Sequence, residues 1–160
     1  MIKRAQGNKD LTDAIDEIIK GRVKTTIKVV RNANDVLIGQ YDTSSIDIGD
    51  IEKFPEEPGP GFSEAEALLH EVYEFWFKKK HNLPNTIVDN SAGYNLAHGL
   101  AIKKDELFDG WRRGMYERVD GGLNVIEVVE WLKGDQQAIE TIRHQNLNIV
   151  EVKVKVSDPK

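Results

Sequence analysis

The chain has 160 residues, of which 39% are hydrophobic and 31% charged, and its net charge at pH 7 is −5. This length suits one core, so we predict a single domain over residues 1–160, and the composition is too apolar for a disordered chain. The negative charge and the scattered basic residues exclude a broad phosphate-binding surface, so nucleic acid is not an expected partner. The absence of cysteine excludes disulfides and thiolate sites, so a bound metal would need His, Asp or Glu ligands.

No apolar run reaches the roughly 20 residues that a membrane-spanning helix needs, and residues 1–9 lack the apolar stretch of a signal peptide. We therefore expect a soluble protein with no membrane span and no signal peptide. The sequence leaves open whether it stays in the cytoplasm or is exported as part of a larger system, because a chain without cysteine suits either compartment.

The first part of the chain predicts a helix followed by short strands. Apolar residues recur at three- and four-residue spacing from Leu11 to Ile19, and Gly21 ends this helix. β-branched residues and turn residues then predict a hairpin and a third strand, at residues 23–30, 36–41 and 45–48. The prolines and glycines of residues 55–61 predict a rigid loop that leads into the next element.

Two central helices and a mixed tail are predicted after this loop. Ser63 and Glu66 form a capping-box pattern at the start of a helix that runs to Lys80. The remaining predictions are a second helix over 91–109, a tail helix over 124–144 with Gly134 as a potential break, and an alternating strand over 149–156. The predicted fold class is α+β, with a small antiparallel sheet packed against the two central helices.

The first central helix carries the strongest chemical pattern in the sequence. His70 and Glu74 are four residues apart and therefore share one helix face, where they can bind one cation. Glu71 is rotated by about 100° from His70, so its carboxylate can lie beside that cation and act on a water molecule. The second central helix offers His98 as a third ligand. Zinc is the expected metal, although a carboxylate ligand leaves manganese, iron and nickel open.

Two acidic residues follow His98 at seven and eight residues, Asp105 and Glu106. Asp105 is closer to the His98 face of the helix. Either carboxylate could orient a metal-binding histidine or replace it as a ligand, and the spacing does not choose between them.

Three segments of the sequence resemble zincin metallopeptidases. Two of them match well, Leu68-Leu69-His70-Glu71-Val72-Tyr73-Glu74 and Ala97 to Glu106, and the match over Ile46 to Asp50 is looser. The closer resemblance is to the zincin-like domains at the C-termini of bacterial polymorphic toxins. It covers about the middle third of the chain and departs from the family where Glu74 replaces the second histidine of the motif.

The resemblance implies a zincin-like fold and a toxin or effector domain that hydrolyses amide bonds. It assigns His70, Glu74 and His98 as zinc ligands and Glu71 as the general base. The partners would be a protein or peptide substrate and a cognate immunity or carrier protein. It also implies that the strand over 45–48 is a free edge that aligns the substrate. Tyr73, Tyr94 and His81 are candidate donors to the oxyanion by residue type.

Two other interpretations compete with a peptidase. The residues His70, Glu71 and Glu74 could form a solvated helix face on which Lys78 pairs with Glu74. The protein would then be a binding or accessory protein, of an immunity or phage-associated kind, whose acidic surface meets a basic partner. A di-iron helical protein is excluded because such sites draw ligands from four helices, whereas strands are predicted at both ends of this chain.

Overall fold

The computed structural model describes residues 9–57, 59–85, 92–105 and 110–157. Its helices are α1 (Lys9–Lys20), α2 (Ile48–Ile51), α3 (Glu64–Lys80) and α4 (Ala92–Asp105). Its strands are β1 (Lys28–Val30), β2 (Gly39–Gln40), β3 (Ser45–Asp47), β4 (Arg112–Gly121), β5 (Asn124–Lys133), β6 (Gln136–Gln145) and β7 (Asn148–Ser157). The predicted α+β class is confirmed. Among the described residues, no helix has both the length and the apolar character needed to cross a membrane.

The small sheet has the strand order β1-β3-β2 and is mixed, not antiparallel as predicted. β3 pairs in parallel with β1 and antiparallel with β2, so the predicted hairpin between the first two strands does not form. The buried Asp47 carboxylate explains this order, because it accepts hydrogen bonds from the backbone N–H groups of Asn32 (2.8 Å) and Ala33 (2.6 Å). These bonds fasten the turn after β1 to the end of β3. The prediction of a free edge at residues 45–48 is wrong, because β3 is the central strand.

The second sheet is an antiparallel meander in the order β4-β5-β6-β7. It replaces the helix predicted over 124–144, and the terminal strand predicted over 149–156 is confirmed within β7. Tight turns at residues with positive φ join the strands, at Gly122, Gly134, Asn146 and Leu147. Alternate residues of β5 are buried, namely Val125, Glu127, Val129 and Trp131. This period of two is that of a strand with one covered face.

The helix α3 lies at the centre of the fold and begins as predicted. Ser63 accepts a hydrogen bond from the Glu66 backbone, and the Glu66 side chain accepts one from the Ser63 backbone. The main hydrophobic core joins α3 and α4 to both sheets, with Phe75, Ala97, Ile46 and Ile142 all at most 2% exposed. Because this packing fixes the position of α3, its polar residues lie at the boundary between the core and a cavity.

Candidate metal centre

Three side chains from α3 and α4 converge on one point. Nδ1 of His98 lies 2.8 Å from Oε2 of Glu74 and 3.4 Å from Nε2 of His70. Nε2 of His70 lies 4.0 Å from the same Glu74 oxygen. The group could hold a metal ion, since each residue offers one ligand atom and all three atoms lie within 4.8 Å of one another.

The burial of these residues excludes the interpretation as a solvated helix face. His70 is 6% exposed and Glu74 is 3% exposed. Lys78 forms no ion pair with Glu74 within 4.0 Å, and its buried Nζ donates instead to the Tyr41 carbonyl and to Oγ of Ser44 (2.7 Å). The His70 imidazole and the Glu74 carboxylate therefore have little access to water, whereas the His98 side chain is 33% exposed. Burial of a carboxylate is costly unless it has a compensating partner.

Packing fixes both imidazole rings. The His70 ring contacts the Phe62 ring edge-on at a centroid distance of 6.1 Å, and the His98 ring stacks on Tyr94 at 5.2 Å. α4 can approach α3 closely because Ala97 and Ala101, which are fully buried, have the smallest side chains that still favour a helix. Rings with restricted rotamers keep their nitrogen atoms aimed at a common point.

The separations of the ligand atoms fit a tetrahedral metal site. Zinc binds imidazole nitrogen and carboxylate oxygen at about 2.0–2.2 Å, so neighbouring ligand atoms in a tetrahedron lie roughly 3.3 Å apart. The observed separations of 2.8, 3.4 and 4.0 Å lie around that value. If a metal bound these three side chains, a fourth position would remain for water or substrate, as in catalytic zinc sites.

Glu71 lines the same cavity as the three ligand residues but is not part of their cluster. Its carboxylate lies directly against the backbone of β2, since a Cβ built on Gly39 would be only 1.8 Å from Oε2 of Glu71. A side chain at residue 39 would therefore displace the carboxylate. The structure thus places Glu71 on the wall of the cavity that His70, Glu74 and His98 also line, and it gives Gly39 a steric role that the sequence did not indicate.

The site opens into a cavity of about 840 Å³. α3 and α4 form one side of it, with His70, Glu71, Glu74, Tyr94 and His98 among the lining residues. The large sheet forms another side through Arg113, Tyr116, Arg118 and Glu127. None of these four residues was predicted to belong to the site, because β4 was not predicted and β5 was assigned to a helix.

The four-stranded sheet holds a hydrogen-bonded network on the cavity wall. Glu127 accepts a hydrogen bond from the Tyr116 hydroxyl at 2.9 Å, and its other oxygen lies 3.3 Å from Nε2 of the buried His144. Burial alone would raise the pKa of Glu127, but the hydrogen bonds and charges of His144, Tyr116 and Arg118 outweigh burial and lower it. Burial and the neighbouring Glu127 carboxylate raise the pKa of Tyr116, so its hydroxyl remains protonated.

Among the candidate oxyanion donors, only Tyr94 lines the cavity. Burial, reinforced by the charges of Glu74 and Glu71, raises its pKa to about 12, so Tyr94 keeps its proton at neutral pH. The Tyr73 hydroxyl instead donates to Glu17 on α1 at 3.5 Å, and His81 is exposed at the end of α3 with its ring against Phe77.

Four further acidic residues, Asp47, Asp50, Asp105 and Glu106, lie in or next to the segments that resemble zincins. Asp47 caps α2 by accepting a hydrogen bond from the Gly49 N–H, and Asp50 accepts one from the Ile149 N–H at 2.7 Å. Both are buried carboxylates whose hydrogen bonds support the fold. The side chain of Asp105 and the whole of Glu106 lie outside the described residues.

Comparisons with protein-family models, curated proteins and solved structures find no match for the chain. The resemblance to zincin peptidases therefore stays a prediction carried by residues of α3 and α4. A functional proposal rests on the geometry and chemistry of these side chains.

Proposed function

We propose that the chain is a metal-dependent peptidase of the zincin-like kind, with His70, Glu74 and His98 as metal ligands. The observation that carries the proposal is the convergence of two imidazole nitrogens and a carboxylate oxygen within 4.8 Å at the wall of a large cavity. The resemblance noted in the sequence would make the chain a bacterial toxin or effector domain. Its partners would then be a protein or peptide substrate and an immunity or carrier protein.

The donor set suits zinc, which accepts nitrogen and oxygen ligands without a strong geometric preference. Manganese, iron and nickel accept the same ligands. A bound divalent metal would supply a Lewis acid that polarises the scissile carbonyl and lowers the pKa of water.

The remaining chemistry falls to the side chains of the cavity. Glu71 accepts a proton from the water that attacks the carbonyl carbon, and it returns that proton to the amine as the C–N bond breaks. Tyr94, which is protonated at neutral pH and stacked on His98, would donate a hydrogen bond to the carbonyl oxygen as that oxygen gains negative charge. Each residue therefore has one role that a single substitution can test.

A metal-free binding or accessory protein is the second candidate. It is favoured by the 2.8 Å separation between Nδ1 of His98 and Oε2 of Glu74, which is the length of a charge-assisted hydrogen bond. In that case the pair is satisfied without a cation, and the acidic chain would act through its surface.

Metal analysis of the untagged protein separates the two candidates. We expect about one equivalent of zinc or another transition metal in the parent, its loss in His70→Ala and His98→Ala, and its retention in the control His81→Ala, whose imidazole is exposed and outside the cluster. A parent protein that takes up no metal, even after reconstitution, would support the binding protein.

The catalytic assignment is tested by Glu71→Gln, which removes the base and keeps the ligand set. We expect this variant to bind metal like the parent and to lose cleavage of a protein substrate such as casein. Full activity in Glu71→Gln would show that another group is the base.

A further inference from the structure

Arg113 on β4 lines the cavity and forms no ion pair with a described residue, although its charge acts on the buried Glu140. No carboxylate of the described residues lies within 4.0 Å of its guanidinium, whereas Arg31 and Arg143 each have one such partner and Arg118 has two. Its Nε atom is buried and has no hydrogen-bond partner among the residues that the structure describes. A buried donor without an acceptor is costly, so this atom calls for a ligand that accepts a hydrogen bond.

Two aromatic rings hold the guanidinium in place. Its central carbon lies 4.9 Å from the centroid of the Tyr116 ring and 5.9 Å from that of the Phe62 ring. Such contacts stabilise the cation and restrict its rotamers but leave the hydrogen-bond donors of the guanidinium unused. A guanidinium group whose N–H donors are free can bind a carboxylate through two parallel hydrogen bonds.

The same Phe62 ring connects this cation to the candidate metal centre. Phe62 contacts the His70 ring at 6.1 Å, so the guanidinium carbon lies no more than about 12 Å from the His70 ring centroid. An extended peptide spans about 3.3–3.6 Å per residue. A carboxylate bound at Arg113 would therefore lie within about three residues of an amide placed at the His70, Glu74 and His98 cluster.

We infer that Arg113 binds a substrate carboxylate, so that the protein favours peptides with a free C-terminal carboxylate close to the bond in the cavity. The inference depends on the proposed function for cleavage, but binding of the carboxylate can be measured in the metal-free protein. Apolar residues that line the same cavity as Arg113 suit an apolar side chain on the substrate, among them Phe62, Val129 and Ile142.

The probe is N-acetylphenylalanine, compared with its C-terminal amide, which has the same shape without the charge. Each is titrated into ¹⁵N-labelled metal-free protein, and the dissociation constants are obtained from NMR shifts. We expect the acid to bind at least tenfold more tightly than the amide, because hydrogen bonds to charged groups are worth about tenfold to a hundredfold in affinity. The Nε–H resonance of Arg113 should shift with the acid only.

Arg113→Gln should abolish the preference for the acid, and Arg113→Lys, which keeps a charge without the fork, should retain part of it. Arg118→Gln is the matched control, since Arg118 lines the same cavity but already pairs with Asp120 at 3.1 Å and with Glu127 at 3.7 Å. It should keep the preference. The amide spectra of the variants report whether each one folds.

Equal binding of acid and amide by the parent, or an unchanged preference in both folded Arg113 variants, would overturn the inference. Neither result depends on metal, so the proposed peptidase could survive it. Conversely, a protein that binds the acid through Arg113 but takes up no metal would contradict the peptidase and leave carboxylate recognition in place.

Discussion

Removal of the Glu140 carboxylate should make the stability of the protein less dependent on pH. Glu140 is fully buried on β6, where one oxygen accepts a hydrogen bond from the Phe62 backbone N–H (3.1 Å) and the other from Nε1 of Trp131 (3.0 Å). Burial nevertheless dominates and raises the pKa of Glu140 from 4.5 to about 7. Glu140 therefore links the sheet to the loop before α3 by hydrogen bonds. This link is less stable when the buried carboxyl group is ionised than when it is protonated.

The sign of the effect follows from proton linkage. Between pH 4.5 and about 7 the folded state holds a proton on Glu140 that the unfolded state has released, so stability falls as the pH rises. The contribution of the protonated Glu140 to the free energy of unfolding is fully present below pH 4.5 and is lost once the pH passes about 7. At about 1.4 kcal/mol per pKa unit, the loss is on the order of 3 kcal/mol.

Urea denaturation of the parent and Glu140→Gln from pH 4.5 to pH 8 measures this loss. The free energy of unfolding of the parent, relative to the variant, should fall by about 3 kcal/mol over this range, since glutamine does not titrate. Glu130→Gln on β5 is the control, because hydrogen bonds from the Met115 backbone and Gln137 lower the pKa of Glu130, and its effect has the opposite sign. Parallel pH profiles for the parent and Glu140→Gln would refute the reasoning.

Three other predictions concern the site and its supports. Gly39→Ala should lower kcat about 100-fold with unchanged metal content, because the new Cβ, 1.8 Å from Oε2 of Glu71, forces that carboxylate away by more than 1 Å; an unaffected kcat would argue against Glu71 as the base. Free zinc at a hundred times its dissociation constant should raise the free energy of unfolding by about 2.7 kcal/mol in urea melts. His98→Ala should remove this gain, and a gain that persists would point to another zinc site. Lys78→Met should cost about 1–3 kcal/mol because the Tyr41 carbonyl loses its buried donor, whereas Lys79→Met at the exposed neighbouring position should be nearly neutral in the same melts.

The sequence predicted the parts of the site that depend on local helical geometry. The capping box of Ser63 and Glu66 placed the start of α3, and a four-residue spacing is sufficient to put His70 and Glu74 on one face. The structure brings Nδ1 of His98, the third predicted ligand, to Glu74. Its role as a metal ligand stays a prediction.

The errors lie where helical and strand patterns overlap. The run from Asn124 to Lys133 has apolar residues both at helical spacing and at alternate positions, so its periodicity fits either structure. Its valines and the glycine-containing turns at Gly122 and Gly134 favour strands, and the structure has a strand there. The parallel pairing of β1 with β3 depended on hydrogen bonds to Asp47 from residues 14 and 15 positions away, which no local pattern contains.

The sequence by itself therefore determined the α+β class, the two central helices and the residues of one helix face. Only the tertiary structure decided that α4 brings His98 to that face, that Gly39 lies against the Glu71 carboxylate, and that Arg113 and Glu127 of the large sheet line the same cavity. The physical reason is the range of the interactions. Capping and helical spacing act over a few residues, whereas a cavity is formed by side chains far apart in the chain whose positions depend on packing of the whole core.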